Sequence, residues 1–534
     1  MFTEALLQAN LAALERAQGA RPAIGSLDAE RVRVVGTPNG PGLELRTAQG
    51  HWVAFSGPRP VSLENGQSAP LPKQLLVIGA ALGTLLDTIE NVGHPTRVVV
   101  LEPDPGIAAL FLARRDWRSW IDRKQLRVLV GPAFAGASTC ARDVDVSHAP
   151  VVMTCPQLAE HRPALVSGAE RVARRIISEA ESNANARKRF AGRYLLQTLR
   201  NLDVIGREAD AAALDGCFAG RAAVLVGAGP SLDENLSGLR ALQDRAVVIA
   251  ADTTLRPLID GGVSPHLVVA VDPGETNAAH LAGVENVDES FLVGEASLHP
   301  SAFAAFRGRT FLFRVSNHEP WPWLKTLNVN RGLLRAWGSV LTSAFDLALR
   351  MGCDPIVFAG ADLAYSHGRQ YCRGTIYEAL WADWRRRGST WDEIWALLTN
   401  PPGVTTMSDV RGEPVRTAPH LLAFRNWLLE QMAATSGRRF INATGAGVLY
   451  GTNVAQMSLA EALTSRSIAD ECRARIRDLH ARRASVELSD AASALSEAVV
   501  NGQAADLVAR WISFSADTIS ANDIAAALST SNER

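Results

Sequence analysis

The chain has 534 residues, of which 47% are hydrophobic and 20% charged, with a formal net charge of −1. That composition supports a large buried core and excludes global disorder, and the balanced charge gives no basis for a general nucleic-acid binder. No run of eighteen apolar residues offers a membrane span, and six scattered cysteines without a C-x-x-C pair fit reduced thiols and no zinc pattern.

At about 150 residues per domain the length implies roughly three domains. The start, Met1-Phe2-Thr3-Glu4, lacks the basic segment and apolar block of a signal peptide, so a cytoplasmic protein is expected. Residues 2–19 read as an amphipathic helix through Leu6, Leu7, Leu11 and Leu14. Short strands follow around a turn at Asn39-Gly40, from Arg31-Val-Arg-Val-Val to Gly42-Leu-Glu-Leu-Arg.

Lys73 to Gly83 predicts a strand, a glycine loop and a helix start, and Val98 to Glu102 predicts a strand ending in an acid. The spacing of about twenty residues between loop and acid is that of a dinucleotide-binding unit. The middle glycine is missing, because the loop reads Gly79-Ala-Ala-Leu-Gly83. A Rossmann-like scaffold without its ligand is the favoured reading. Pro163 to Asp210 reads as two helices linking domains, with Asn183 and Asn185 as surface polar residues.

The most informative stretch is Ala222 to Leu236. An apolar run to Val226 predicts a buried strand, Gly227-Ala228-Gly229-Pro230-Ser231 a tight loop, and Ser231 with Glu234 a capping box opening a helix. Strand, glycine loop and helix N-terminus together make a phosphate cradle, although a plain turn explains a lone G-x-G equally well. Two further strands, Ala246–Ala251 and Pro265–Val271, end in Asp252 and Asp272. Alternating strands and helices predict a doubly wound α/β sheet, whose ligands bind beyond the strand C-termini. Gly227, Asp252 and Asp272 all fall at that edge.

Phe291–Gly294 and Thr310–Arg314 are further strand candidates, and Trp321-Pro-Trp323 reads as a loop. Thr342-Ser343 precede a helix predicted over 344–351 and offer donors to an anion. Pro355 to Gly360 is a strand, followed by Asp362, Tyr365, His367, Arg369 and Tyr371. Two tyrosines six residues apart at the ligand edge can donate hydrogen bonds to a departing phosphate. Trp381, Trp384, Trp391 and Trp395 form either a satellite core or a binding lid. His420 opens a helix predicted over 421–432, and Phe440 to Gly447 is a strand with a polar glycine loop that includes Asn442. The end of the chain is Ala-rich and helical, with a basic stripe over 473–483 whose default is a solvated face.

The series G-A-G-P-S-L, Asp252, V-D-P, Thr342-Ser343 and Gly360-Ala-Asp362-Leu-Ala-Tyr365 resembles the central domain of the motility accessory factor (Maf) flagellin glycosyltransferases. The same core is similar to archaeal 6-hydroxymethylpterin diphosphokinases (MptE-like). More remotely it is similar to bacterial sialyltransferases whose loop reads G-N-G-P-S-L. The resemblance covers about 220–460. It implies a Rossmann-like, sialyltransferase-like (GT-A-related) central domain with a parallel sheet over 216–458. Around it lie a degenerate Rossmann-like domain with a small sheet over 1–165, a helical linker over 166–215, and a helical C-terminal region over 459–534. It further implies transfer of a nonulosonic acid from its CMP-activated donor to Ser or Thr of flagellin. Tyr365, Tyr371 and His420 would be catalytic, with Arg416 or Thr417 as alternatives in the register of the histidine. Gly227, Gly229, Pro230, Ser231, Asp252, Asp272, Thr342, Ser343, Gly360, Asp362 and Asn442 would bind the donor. No cofactor would be required, with Mg²⁺ optional. Two alternatives stay open: a pterin diphosphokinase using ATP and Mg²⁺, with the two aspartates as metal ligands, and a non-catalytic flagellin-binding chaperone.

Overall fold

The computed structural model of the chain describes residues 3–18, 22, 24, 32–37, 40–46, 51–55, 72–92, 96–131, 134, 136–141, 143–516 and 518–530. The turn residue Asn39 and the strand start Arg31 lie outside them. The contacts divide the chain into two units, Met1–Ala186 with Ala433–Ser436, and Arg187–Met432 with Gly437–Arg534.

In the first unit the helix Glu4–Gln18 buries Leu7, Leu11 and Leu14. Strands β1 (Val32–Thr37), β2 (Gly40–Arg46) and β3 (Trp52–Phe55) form an antiparallel meander. Strands β4 (Gln74–Ile78), β5 (Arg97–Glu102), β6 (Leu126–Val130) and β7 (Val151–Thr154) form a parallel sheet in the order β6-β5-β4-β7. This is the Rossmann-like half expected from Gly79 and Glu102. Both glycines of its loop have positive φ, +76° at Gly79 and +79° at Gly83. A Cβ on Gly79 would lie 2.7 Å from Leu158, and one on Gly83 2.6 Å from the Phe111 ring. The loop is therefore filled by the protein's own side chains. Glu102 is 1% exposed and accepts from the Asp104 N–H. Asp104 in turn caps the helix Pro105–Arg114 through the amides of Gly106 and Ile107.

Burial raises the Glu102 carboxyl to about 8. The folded protein thus keeps a proton that the unfolded chain releases near pH 4.5, so this group lowers stability as pH rises between about 4.5 and 8. Glu102→Gln is expected to remove a slope of up to about 1.4 kcal/mol per pH unit. Melts of variant and wild type at pH 5 and pH 8.5 should show a gain confined to the higher pH.

Two helices fill the span 163–210 that was expected to hold two: Leu202–Arg207 and, before the break at Asn201, Pro163–Arg200, which is continuous for 38 residues. Gly192 does not interrupt it, because the missing side chain makes room for Thr518 and Ile519, at 2.5 and 2.7 Å from a Cβ placed there. Asn185 is exposed, and the side chain of Asn183 lies outside the described residues.

The second unit is built on a parallel sheet. Its strands in chain order are β8 (Ala209–Asp210), β9 (Ala223–Val226), β10 (Val247–Ala251), β11 (Leu267–Ala270), β12 (Phe291–Glu295), β13 (Thr310–Arg314), β14 (Gly332–Leu333) and β15 (Ile356–Ala359). After a separate antiparallel hairpin of β16 (Thr405–Ser408) and β17 (Pro414–Thr417), β18 (Phe440–Asn442) and β19 (Ala455–Gln456) complete it. The order is β14-β13-β12-β11-β10-β9-β15-β18-β19, with β8 beside β13. The chain winds outward from β9 through β14, then returns to the other side of β9 at β15. The switch point therefore lies between the C-terminal ends of β9 and β15, where such sheets take their ligands.

Every residue of β9, β10, β11 and β15 is buried, as expected for strands covered on both faces. One cluster joins Val224 and Val248 to Leu232, Leu239 and Leu459. Another joins Val268, Leu292 and Leu312 to Trp511, Ile524 and Leu528 of the C-terminal helices. The stripe over 473–483 is largely paired: Arg477 binds Glu289 at 2.9 Å and Arg482 binds Asp478 at 2.7 Å. His480 points inward instead, to buried Glu208 at 3.2 Å and the Thr310 carbonyl at 3.1 Å.

Candidate active site

A cavity of about 340 Å³ opens at the switch point. Its floor is the glycine loop after β9 and the loop after β15. These two backbones touch: a Cβ on Gly227 would lie 2.7 Å from the Gly360 carbonyl oxygen, and Gly360 has φ +60°. The Gly229 N–H donates to that same carbonyl at 2.8 Å. A Cβ on Gly229 would overlap the carboxylate of Asp362. The glycines of G-A-G are thus required by the neighbouring loop before any ligand is considered. Gly229→Ala is expected to cost about 1–3 kcal/mol by overpacking, read as a lower melting midpoint, with loss of ligand binding at the cavity.

Ser231 and Glu234 do not form the expected capping box. Ser231 is fully buried and its hydroxyl donates to Asp362 at 2.6 Å, while Glu234 faces His367 at 3.1 Å. Asp362, 1% exposed, also accepts from the Ser231 N–H at 3.3 Å, and its carbonyl accepts from Val448. Burial raises its carboxyl. Pro230 and Ser231 lie behind the cavity wall.

Asp252 and Asp272 both line the cavity. Asp252 is 4% exposed, accepts from the Thr253 N–H at 2.7 Å, and is pushed up to about 7, first by burial. Asp272 is exposed and accepts from the Gly274 N–H at 2.8 Å. Asn277 stands beside it in the wall.

Tyr365 lines the cavity at 4% exposure, and its backbone N–H donates to the Arg416 carbonyl at 2.8 Å. Burial raises its hydroxyl, so it stays a donor at neutral pH. Tyr371 also lines the cavity, stacked on Tyr377 with ring centroids 4.6 Å apart and planes 10° apart. Their hydroxyls are hydrogen-bonded, and burial raises both. Tyr377 is a wall residue that no motif or spacing singles out. It continues through Trp381 into the cluster of Ile394 and Trp395, so the tryptophans form a satellite core that backs the tyrosines. His367 and Arg369 turn away to the helix Leu232–Leu242, at Glu234 and Asp233.

Three further residues expected to contact the donor lie outside the lining. The helix after Trp337 begins at Val340, four residues earlier than expected, capped by Ser339. Thr342 is therefore inside its first turn, fully buried, accepting from the Trp337 N–H at 2.8 Å and donating to the Ser339 carbonyl at 2.6 Å. Ser343 is equally buried. The segment that faces the cavity is Gly338 to Leu341. Asn442, 1% exposed, is spent on its own loop, donating to the Leu449 carbonyl and to Gln456, each at 3.0 Å. Trp321-Pro-Trp323 is likewise helical, within Trp321–Thr326.

His420 reaches the cavity rim from the first turn of the helix Pro419–Ala434. Its surface is still largely open, yet its ring packs edge-on to Phe424 at 5.9 Å and desolvation lowers its pKa. A helix N-terminus acts in the same direction. The imidazole is therefore neutral near pH 7 and able to accept a proton. Arg416 donates to Thr399 at 2.8 Å, and buried Thr417 donates to the Leu363 carbonyl at 2.8 Å. Of the three residues considered for this role, His420 is the one in the cavity lining.

The lining contains Asp252, Asp272 and Asp362 but neither lysine nor arginine. Among the described residues no group of three or more His, Cys, Asp or Glu side chains is arranged to hold a metal, and no helix is long and apolar enough to cross a membrane.

Two proteins of Treponema pallidum (strain Nichols), each described only as an uncharacterized protein, are similar to part of the chain. The first is 26% identical over 170 residues, 32% of this chain and 58% of that protein. The second is 30% identical over 128 residues, 22% of this chain and 32% of that protein. The chain thus matches little more than half the length of one relative and a third of the other. A solved structure described as a MAf glycosyltransferase from Magnetospirillum magneticum AMB-1 aligns with 99% of this chain and 90% of its own, at 16% identity and a TM-score of 0.46. Residues 196–368, which hold the glycine loop, Asp252, Asp272, Asp362 and Tyr365, match the family model described as 6-hydroxymethylpterin diphosphokinase MptE-like, and over that segment the resemblance read from the sequence is borne out.

Proposed function

We propose that the chain is an inverting glycosyltransferase that moves a nonulosonic acid from a CMP-activated donor to Ser or Thr of flagellin. The observation that carries the reading is the convergence of Tyr365, Tyr371 and neutral His420 on one cavity beside the glycine loop. In the reaction the acceptor hydroxyl oxygen bonds to the anomeric carbon and gives its proton to His420. The bond from that carbon to the phosphate oxygen breaks, and CMP leaves with the electron pair. Tyr365 and the Tyr371–Tyr377 pair donate hydrogen bonds to the charge that grows on the phosphate. Gly338 to Leu341 present the start of a helix, whose free amides favour an anion. Asp252 and Asn277 are placed for ribose or base hydroxyls and amines.

The charge of the lining bears on the donor. A single phosphate can be held by hydroxyls and amides alone. A triphosphate beside three aspartates, with no lysine or arginine in the wall, would need a divalent cation. The second reading, a diphosphokinase acting with ATP and Mg²⁺, is favoured by the family model over 196–368 and by the pair Asp252 and Asp272. Calorimetric titration with CMP and with Mg·ATP separates the two, and the intact mass of flagellin with and without the protein tests the acceptor. Transfer from CMP-nonulosonate is expected to survive EDTA at least in part. Complete loss that Mg²⁺ restores, with Mg·ATP binding in preference to CMP, would replace the first reading by the second.

A further inference from the structure

We infer that Asp233 is a positioning residue that fixes Tyr371 in the cavity wall by gripping the chain on both sides of it. This rests on the transferase reading for its effect on rate, but the grip itself is a feature of the fold.

Beyond one 3₁₀ turn at Ser366–Gly368, the segment to Gly374 has no regular structure to hold it. It is polar, and it turns through left-handed backbone at His367 (φ +53°) and Gly368 (φ +66°). Its place is set by contacts with the segment after β9. The Cys372 N–H donates to the Ala228 carbonyl at 2.9 Å, and His367 faces Glu234 at 3.1 Å. Two further hydrogen bonds meet at one carboxylate. Arg369 donates to Asp233 Oδ2 at 2.6 Å, the Arg373 backbone N–H donates to Oδ1 at 2.9 Å, and the Arg373 guanidinium lies 3.7 Å away. Arg369 and Arg373 are the residues two before and two after Tyr371.

The pair is not an ordinary surface ion pair. The side chain of Arg369 is 16% exposed and that of Asp233 is 23% exposed, so solvent screens it less than an open pair. Asp233 also lies in the first turn of the helix Leu232–Leu242, where a carboxylate is favoured by the helix dipole. The carboxylate is thus anchored at its own end and engaged at the other by two donors, with the Arg373 guanidinium nearby. Misplacement of a reacting group by about 1 Å can cost on the order of 10²-fold in rate, so loosening this loop should act on turnover more than on donor affinity.

The test uses the full chain with Asp233→Ala and Asp233→Asn. Hydrogen exchange of the amides of 370–373 should quicken in Asp233→Ala, and Asp233→Asn, which keeps an acceptor for the Arg373 amide, should restore part of the protection. With CMP-nonulosonate and flagellin, kcat should fall about 10- to 100-fold in Asp233→Ala while the donor KM moves less than about twofold. Unchanged exchange at 370–373 would overturn the grip. Faster exchange with unchanged kcat would overturn the positioning role. Should the wild type not transfer from CMP-nonulosonate at all, the transferase reading fails while the exchange result still decides whether Asp233 holds the loop.

Discussion

Tyr365→Phe is expected to keep the fold and to lower the transfer rate by about 10²–10³-fold, roughly 3–4 kcal/mol in activation free energy. The expectation follows from where the hydroxyl stands. Tyr365 is 4% exposed, lines the cavity, and is held from its backbone by the Arg416 carbonyl. Desolvation raises its hydroxyl further above neutrality, so on the proposed mechanism it serves as a donor throughout. A donor aimed at charge that appears only as the bond breaks stabilises the transition state more than the bound donor sugar, and its loss falls on kcat. Tyr371→Phe acts on the same step, and it also removes the hydrogen bond to Tyr377. A tyrosine that only packs would lose about 1 kcal/mol of stability with its hydroxyl and little turnover. Single-turnover rates at saturating donor, with a thermal melt of each variant, decide between these. Wild-type rates in both variants would remove the tyrosines from the mechanism.

His420→Ala is expected to lower transfer by about 10²–10⁴-fold, the usual contribution of a positioned general base. The pH profile adds a second signature. Desolvation holds this imidazole below the ordinary histidine range, so the base form is already present near neutrality. The wild-type rate should be flat through pH 7 and fall only as pH drops through that lowered value. The Ala variant should lose this acid limb. Were the limb to persist in His420→Ala, another group would be the base.

The strands of the central sheet were legible because their burial is complete. Ala223–Val226, Val247–Ala251 and Thr310–Arg314 are unbroken apolar or nearly apolar runs, and their shortness, flanking turn residues and β-branched or aromatic content favour a buried strand over a helix. The placing of Gly227, Asp252 and Asp272 at one edge follows from that regularity. What could not be read were relations across long sequence distance. Ser231 has the signature of a helix cap, but Asp362, 131 residues on, takes its hydroxyl. Thr342 and Ser343 compete with Ser339 for the same capping role, and a local pattern cannot rank them when Trp337 decides the outcome through its own amide. Tyr377 and Asn277 reach the cavity from short helical segments with no amphipathic period. The hairpin of β16 and β17 is mostly polar and partly exposed, so it carries no hydrophobic alternation.

The contact between the two floor loops also governs how the cavity can breathe. Gly227 and Gly360 meet backbone to backbone, the Gly229 amide is tied to the Gly360 carbonyl, and Ser231 is tied to Asp362. Loops joined in this way move as a single rigid body, and neither can swing aside without breaking buried hydrogen bonds. Gly338 to Leu341 and His420 also line the cavity and take no part in this tie. On the proposed transferase reading, release of the spent nucleotide would then depend on that part of the lining and not on the glycine loop that first marks the site in the sequence.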